Sequence, residues 1–251
     1  MSVEVFSWSR LETYKRCPAR YAFAYLEQRA PECETLESVL GKLVHEVLAG
    51  AINEEGESIF WKFENRRFLA PMIRVVKPDM DWRVELEAAD SMIAIGLAQI
   101  GRIQAETVAV EQEVRGELDG IPFVGHIDWL TRDQGGVDIR DWKTSRKTSR
   151  QATVDADVQL ALYQLLLTHE DDGDVWLFWH FLRSDTIRCS TRTPSQLARL
   201  EQELAHRARE ITAAREFPYN PGPLCGWCEF RGSCPASAYF GEDPETGLLT
   251  P

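Results

Sequence analysis

Several features common in other protein classes are missing from this 251-residue sequence. No apolar run approaches the roughly 18–20 residues needed to cross a bilayer, which excludes a membrane-spanning helix. The N-terminus, MSVEVFSWSR, lacks the basic-then-apolar layout of a secretory signal, so a cytoplasmic protein is expected. No G-x-x-x-x-G-K-[ST] occurs, so there is no P-loop ATPase. Internal repeats and low-complexity stretches are absent, which excludes solenoids and long disordered tails. Basic side chains are also scarce: 28 Lys and Arg stand against 40 Asp and Glu, a net charge of −12. Taken alone, that balance argues against a nucleic-acid partner, because nonspecific affinity for phosphate comes largely from Lys and Arg. What remains, 44% hydrophobic and 27% charged residues, is the composition of an ordinary globular protein.

The six cysteines, at 17, 33, 189, 225, 228 and 234, are the first positive signal. Without an export signal a disulfide framework is not expected. Cys225, Cys228 and Cys234 form a C-x2-C-x5-C run with interspersed glycines, a spacing that lets the backbone curl round a metal. A tetrahedral thiolate site needs a fourth ligand, for which Cys17, Cys33, Cys189 and His206 are candidates; spacing alone allows zinc or an iron–sulfur cluster.

Helical periodicity dominates the first hundred residues. Ser9-Arg10-Leu11-Glu12 reads as a capping box, and Leu11, Tyr14, Pro18, Tyr21 and Tyr25 trace one apolar face that Pro18 should break just after Cys17. A second helix is predicted over 37–53, with His45 beside its apolar stripe, and others over 58–70 and 81–105. From about 107 the pattern changes to strands: 108–114, 121–130 and, after the turn TRDQGG, 137–143. A leucine-rich helix over 156–168, strands over 174–183 and 186–192, and a helix from Pro194 to about 215 complete the reading, with Thr193 as N-cap.

The chemistry concentrates in the strand region. Residues two apart on a strand share a face, so Asp141 and Lys143 project together while Trp142 points away. If the hairpin closes through TRDQGG, Asp128 on the neighbouring strand can approach Asp141. Two such carboxylates repel unless a divalent cation neutralises them. A lysine beside them can orient water or stabilise charge on a phosphorane-like transition state. That is equipment for metal-dependent phosphodiester hydrolysis.

Gly125-x-x-Asp128, then Asp141-x-Lys143-Thr144, then Gln159-x-x-x-Tyr163 resembles the PD-(D/E)XK nuclease superfamily, in particular its RecB-like and AddB-like exonuclease branch, including CRISPR-associated iron–sulfur members. The opening Ser7-Trp8-Ser9-Arg10-Leu11-x-x-Tyr14-x-x-Cys17-Pro18-x-x-Tyr21 and the segment Gly41-x-x-x-His45-Glu46 resemble the same branch. The motifs span 7–235 in the family's order. The resemblance implies a restriction-endonuclease-like α/β core, a mixed central sheet flanked by helices. The single domain would divide into N-terminal helices over 7–53, a helical insertion over 54–106, the nuclease core over 107–192 and a cluster-binding segment over 193–251.

By that resemblance His45, Asp128 and Asp141 would hold Mg²⁺ or Mn²⁺, with the Trp142 carbonyl as a possible further ligand. Lys143 would be the catalytic lysine, and Gln159 and Tyr163, four apart on a helix, would contact DNA or support the site. Glu111 resembles an acidic residue that some members carry on the preceding strand, with Glu113 as the competing choice. Cys17 with Cys225, Cys228 and Cys234 would bind a structural [4Fe–4S] cluster, zinc being the alternative. Ligation across 207 intervening residues would restrain the unfolded chain like a cross-link, worth about 5 kcal/mol. The implied activity is a metal-dependent DNA exonuclease acting on single strands or DNA ends in recombination, repair or replication. The alternative is a DNA-binding module of a CRISPR adaptation or helicase–nuclease complex, with a helicase, recombinase or integrase as partner. Local charge fits DNA better than the total does. Asp141–Arg150 holds Lys143, Arg146, Lys147 and Arg150 against one acid, and Arg146 and Lys147 are the expected DNA contacts.

Overall fold

The computed structural model describes residues 4–32, 36–53, 82–167, 173–236, 241–242 and 249–250. Helix α1 (Trp8–Arg16) opens on Ser7, whose side chain accepts a hydrogen bond from the Arg10 amide. The cap is therefore Ser7 rather than Ser9, which lies inside the helix. Lys15 and Arg16 occupy the last turn, where positive charge meets the negative end of the helix dipole. At Cys17 the backbone is extended (φ −159°), and Pro18 starts the short helix α2 (Pro18–Tyr21) at a position that needs no amide donor. The expected break thus falls on Cys17 itself. Leu11 and Tyr21 are buried, and Tyr14 and Tyr25 pack beside them, as the apolar face required.

Helices α3 (Leu36–Ile52) and α4 (Trp82–Ile100) form where helices were predicted; Leu86 and Ile93 of α4 are buried, but Leu97 is exposed and the helix ends at Ile100, short of the expected 105. The predicted helix over 58–70 lies outside the described residues. Five strands come next: β1 (Glu106–Leu118), β2 (Ile121–Asp133), β3 (Gly136–Lys143), β4 (Asp174–Phe181) and β5 (Thr186–Ser190). They form one sheet in sequence order, antiparallel except for the parallel β3–β4 pair. A parallel pair needs a crossover. It contains α6 (Gln159–Leu167), which answers the helix predicted over 156–168, and before it the short α5 (Gln151–Asp155), which was not predicted. The division falls at Asp157, whose carboxylate accepts from the Leu160 amide and caps the second helix. Helix α7 (Pro194–Ala213) begins with the full capping box of Thr193 and Gln196. A small antiparallel pair, β6 (Gly241–Glu242) with β7 (Leu249–Thr250), lies near the C-terminus.

The β2–β3 hairpin turns tightly between Asp133 and Gly136. Gly136 has φ +147°, and a Cβ there would lie 1.9 Å from the Asp174 carbonyl oxygen, so only glycine fits.

Each sheet face carries its own apolar core. One core joins Ile139, Leu177 and Trp179 to α6, α7 and Tyr21; the other joins Trp129 and Trp142 to Leu40, Val44, Leu48 and Met92 from α3 and α4. On β2, Ile127 and Leu130 both enter the first core while Trp129 enters the second. The strict alternation of a strand therefore slips by one residue around Asp128. Opposite this point, between the pairs Val110–Trp129 and Gln112–Ile127, Glu111 adopts φ +50°.

A polar seam runs beneath α4. Arg140 donates to Thr131 at 2.9 Å and pairs with Asp138, and its Nη1 lies 3.5 Å from Nε2 of the fully buried His180. Because arginine can only donate, His180 Nε2 accepts and Nδ1–H donates to Gln99 Oε1 at 2.8 Å. Burial, then the Arg140 charge, pushes the His180 pKa from 6.5 down to about 3. The unfolded chain thus binds this proton more readily, so the stability contribution is complete above pH 6.5 and falls as pH drops towards 3. Between pH 7 and 4.5 this group alone should remove about 3 kcal/mol. Urea unfolding at the two pH values should show a shallower loss for His180→Gln than for the wild type, even though the variant starts lower.

Candidate metal centre

Three potential ligand atoms, from His45, Glu111 and Asp128, all lie within 4.8 Å of one another. Each comes from a different element. Helix α3 supplies His45, whose position is fixed by the Leu40, Val44 and Leu48 stripe beside it. The strand slip described above supplies the other two. In regular β geometry Glu111 would not take φ +50°; such a residue stores roughly 1–3 kcal/mol of strain, which is a feature of functional sites. The competing residue, Glu113, instead pairs with Arg115 at 2.6 Å and His126 at 3.4 Å.

Trp142 of β3 ties two of these elements, α3 and β2, together through its backbone. Its amide donates to Asp128 Oδ2 at 2.8 Å, and its carbonyl accepts from His45 Nε2 at 3.0 Å. His45 Nδ1 is 3.4 Å from the same Asp128 oxygen. Burial disfavours the charged imidazole, but Asp128, Asp141 and Glu111 together outweigh it and raise the His45 pKa. Burial and the neighbouring Asp128 raise the Glu111 pKa in turn. Both shifts show an excess of negative charge, which a cation would neutralise.

Asp141 stands outside the three-residue group. Its buried carboxylate lies 2.6 Å from Lys143 Nζ, close enough for an ion pair but poorly aligned for a hydrogen bond. Burial pushes the Asp141 carboxyl up, Lys143 opposes this, and Asp128 adds to it. For Lys143, burial is outweighed by Asp141, Asp157 and Asp128, so the ammonium form is favoured. Lys143 also donates to Gln159 Oε1 at 3.0 Å, and Gln159 Nε2 donates to the Tyr163 hydroxyl at 2.9 Å. The Lys143–Gln159–Tyr163 chain thus runs from the sheet into α6. A groove of about 610 Å³ opens beside the centre, lined by the Gly41, His45 and Ala49 face of α3 and by Glu111.

The two DNA contacts expected from sequence sit in the segment after β3. Lys147 is exposed, while Arg146 pairs with Glu85 of α4 at 2.8 Å. Arg183 joins this group, 3.8 Å from Glu85 and donating to the Thr144 carbonyl. Nothing in the sequence pattern linked Glu85 or Arg183 to this segment, because both lie far along the chain.

Cys17, Cys225, Cys228 and Cys234 line one cavity of about 180 Å³. Among the described residues, no three of their sulfurs come within 4.8 Å of one another. Cys189 is exposed and outside this cavity, and Cys33 lies outside the described residues. Hydrogen bonds also join the segments around the cavity. Arg20 grips Glu229 through Nε and Nη2 at 3.1 and 3.0 Å, Asn220 donates to the Arg16 carbonyl, and the Glu32 amide donates to the Glu229 carbonyl.

Comparison with known proteins agrees with this geometry. The family model of the PD-(D/E)XK nuclease superfamily matches residues 5–235, and the chain belongs to that superfamily. Its sheet and flanking helices are the restriction-endonuclease-like fold expected of a member. Among solved structures, a protein from Eubacterium rectale described as a "putative exonuclease" is similar with a TM-score of 0.55 at 14% identity, covering 94% of this chain and 88% of that one. The structure of SSO0001 has a TM-score of 0.40 at 17% identity, covering 90% of this chain and 85% of that one. No curated protein matches. Among the described residues no helix is long and apolar enough to cross a membrane.

Gly125 tests how tightly the centre is built. A Cβ at this position would lie 2.5 Å from the Tyr163 ring, which is itself buried. Gly125→Ala should cost about 1–3 kcal/mol in urea unfolding. Adding Tyr163→Leu should recover part of that loss, whereas independent sites would give additive losses.

Proposed function

We propose that this chain is a divalent-metal-dependent deoxyribonuclease, an exonuclease acting on single-stranded DNA or DNA ends, with a structural iron–sulfur cluster in its cysteine cavity. The observation that carries the reading is the meeting of His45, Glu111 and Asp128 next to the Asp141–Lys143 pair. The donor set, one imidazole with carboxylates, suits Mg²⁺ or Mn²⁺. His45, Glu111 and Asp128 would hold the ion, with Asp141 as a further donor. When bound, the ion supplies Lewis-acid charge at the phosphate and lowers the pKa of a water.

The chain's own groups supply the rest. Hydrolysis joins a water oxygen to phosphorus and breaks one P–O ester bond. Lys143, kept charged by Asp141, donates from Nζ to the water or to a non-bridging phosphate oxygen as charge builds there. Gln159 fixes the direction of that ammonium, and Tyr163, seated on Gly125, fixes Gln159. Arg146 and Lys147 would meet the backbone of the strand. The Arg146 end of its pair with Glu85 is exposed to solvent, so a phosphate can compete with the carboxylate for the guanidinium.

The cysteine cavity supports the cluster reading over zinc. A mononuclear zinc with Zn–S bonds of about 2.3 Å needs thiolates within about 4 Å of each other. The four sulfurs line one cavity, and no three of them lie within 4.8 Å of one another. A cluster of several irons, each bound by a separate thiolate, accepts wider spacing.

Two measurements test the proposal. With end-labelled single- and double-stranded DNA and Mg²⁺ or Mn²⁺, the wild type should cleave, and Asp128→Ala and Lys143→Ala should each fall by about 100-fold or more. Equal cleavage by the variants, or none by the wild type, removes the nuclease reading. Protein purified without oxygen should be brown, absorbing broadly near about 400 nm, and Cys17→Ser should lose that colour. A colourless wild type containing zinc would instead establish the zinc site.

A further inference from the structure

The polar seam under α4 ends against the metal centre, and no step of the proposed reaction uses it. Gln99 is 1% exposed and His180 is fully buried. Gln99 spans between β4 and the segment after it, accepting from His180 Nδ1 and donating to Asp185 Oδ1, both at 2.8 Å. The donation to Asp185 sets which way the Gln99 amide faces. His180 is the ladder partner of Trp142 across the parallel β3–β4 pair, and the two rings meet at 4.6 Å. From the strand on the other side, Trp129 stacks on Trp142, with centroids 5.9 Å apart and planes at 17°. The indole is therefore held between a tryptophan and a hydrogen-bonded histidine. Its backbone meets two of the three candidate ligands, through the amide to Asp128 and the carbonyl to His45.

We propose that Gln99 and His180 are positioning residues for the metal centre: by holding the Trp142 ring they fix the backbone that sets the separation of His45 and Asp128. The inference rests on the metal-binding reading above. The same helix supports both ends of the arrangement, since α4 carries Gln99 and also packs on α3, which carries His45. Loss of the Gln99 bond leaves His180 held only by its long 3.5 Å contact with Arg140, and Trp142 then has one firmly fixed neighbour instead of two. The centre would still contain all its ligands, but at a less definite spacing. Groups that orient ligands without touching the metal typically change affinity by 10–100-fold.

The experiment is Mn²⁺ binding to the full chain, followed by the free-ion signal in electron paramagnetic resonance, well below the melting temperature of every variant. Gln99→Met keeps the side-chain length and removes both hydrogen bonds. His180→Phe keeps a ring against Trp142 and removes the bond to Gln99. Each should raise the Mn²⁺ Kd about tenfold. Ile211→Val, in the core on the opposite sheet face, should lower the melting temperature and leave the Kd unchanged. Asp185→Asn, which keeps an acceptor for the Gln99 amide, should bind as the wild type does. A folded Gln99→Met with wild-type Kd overturns the proposal, as does an equal shift in Ile211→Val, which would make the effect one of general stability. A Gln99→Met chain that does not fold assigns Gln99 to stability and also ends it. A wild type that binds no Mn²⁺ removes the metal-binding reading itself, a different failure from unchanged affinity in the variants.

Discussion

Negative charge crowded at one place in the sheet is the constraint on which the rest depends. Glu111, Asp128 and Asp141 come from three successive stretches of strand and meet around His45 and Lys143. Carboxylates cannot hold one another in place, since each disfavours ionisation of the next. The upward shifts of Glu111 and Asp141 are the direct expression of that repulsion together with burial. Two basic partners stand closest to them, and they divide the work. Lys143 pairs with Asp141, whereas His45 faces Asp128 and would bind a metal as neutral imidazole. The geometry is therefore imposed from outside the acids, by the Trp142 backbone and by packing on both sheet faces.

That external support explains why the two cores differ. The core containing α6 and α7 is an ordinary apolar one, and it carries Gln159 and Tyr163 on its edge. The core containing α3 and α4 includes two stacked tryptophans and borders buried Arg140, Asp138, Gln99 and His180. Buried polar groups add little stability over apolar ones, but they tolerate few arrangements because every donor must find its acceptor. A layer that must hold a histidine opposite a strained strand gains from that restriction. Glu111 at φ +50° is retained because Val110 and Gln112 on either side are already locked to Trp129 and Ile127.

The order of elements was legible in the sequence because apolar period and turn chemistry are local. The α3 stripe, the TRDQGG turn and the Thr193-Pro194 cap all lie where their residues indicate. Asp141 and Lys143 share a face for the same reason, period two on a strand. What escaped was set by contacts distant in sequence. Nothing local marks Glu111 rather than Glu113 as the residue turned towards His45, since the difference is one backbone angle opposite a slip in another strand. The capture of Arg146 by Glu85 depends on α4 lying over the segment after β3. The five-residue α5 escaped because it is too short to show an apolar period, and the start of α6 is set by one aspartate acting as a cap.

The net charge of −12 now has a structural meaning that a total cannot carry. Part of it is committed to the centre, where a divalent ion would cancel it. Another part faces basic groups directly: Glu85 holds Arg146 and Arg183, Glu229 holds Arg20, and Asp119 pairs with Arg209 at 2.6 Å. A carboxylate on an arginine keeps the guanidinium extended while weakening its attraction for stray anions. On the proposed reading, a phosphodiester arriving at the centre would compete with Glu85 only locally, where the ion and Lys143 would favour it. Elsewhere the same acidity repels the polyanion. An acidic total is thus compatible with a nucleic-acid substrate, provided that the attraction is concentrated where the bond is to be broken.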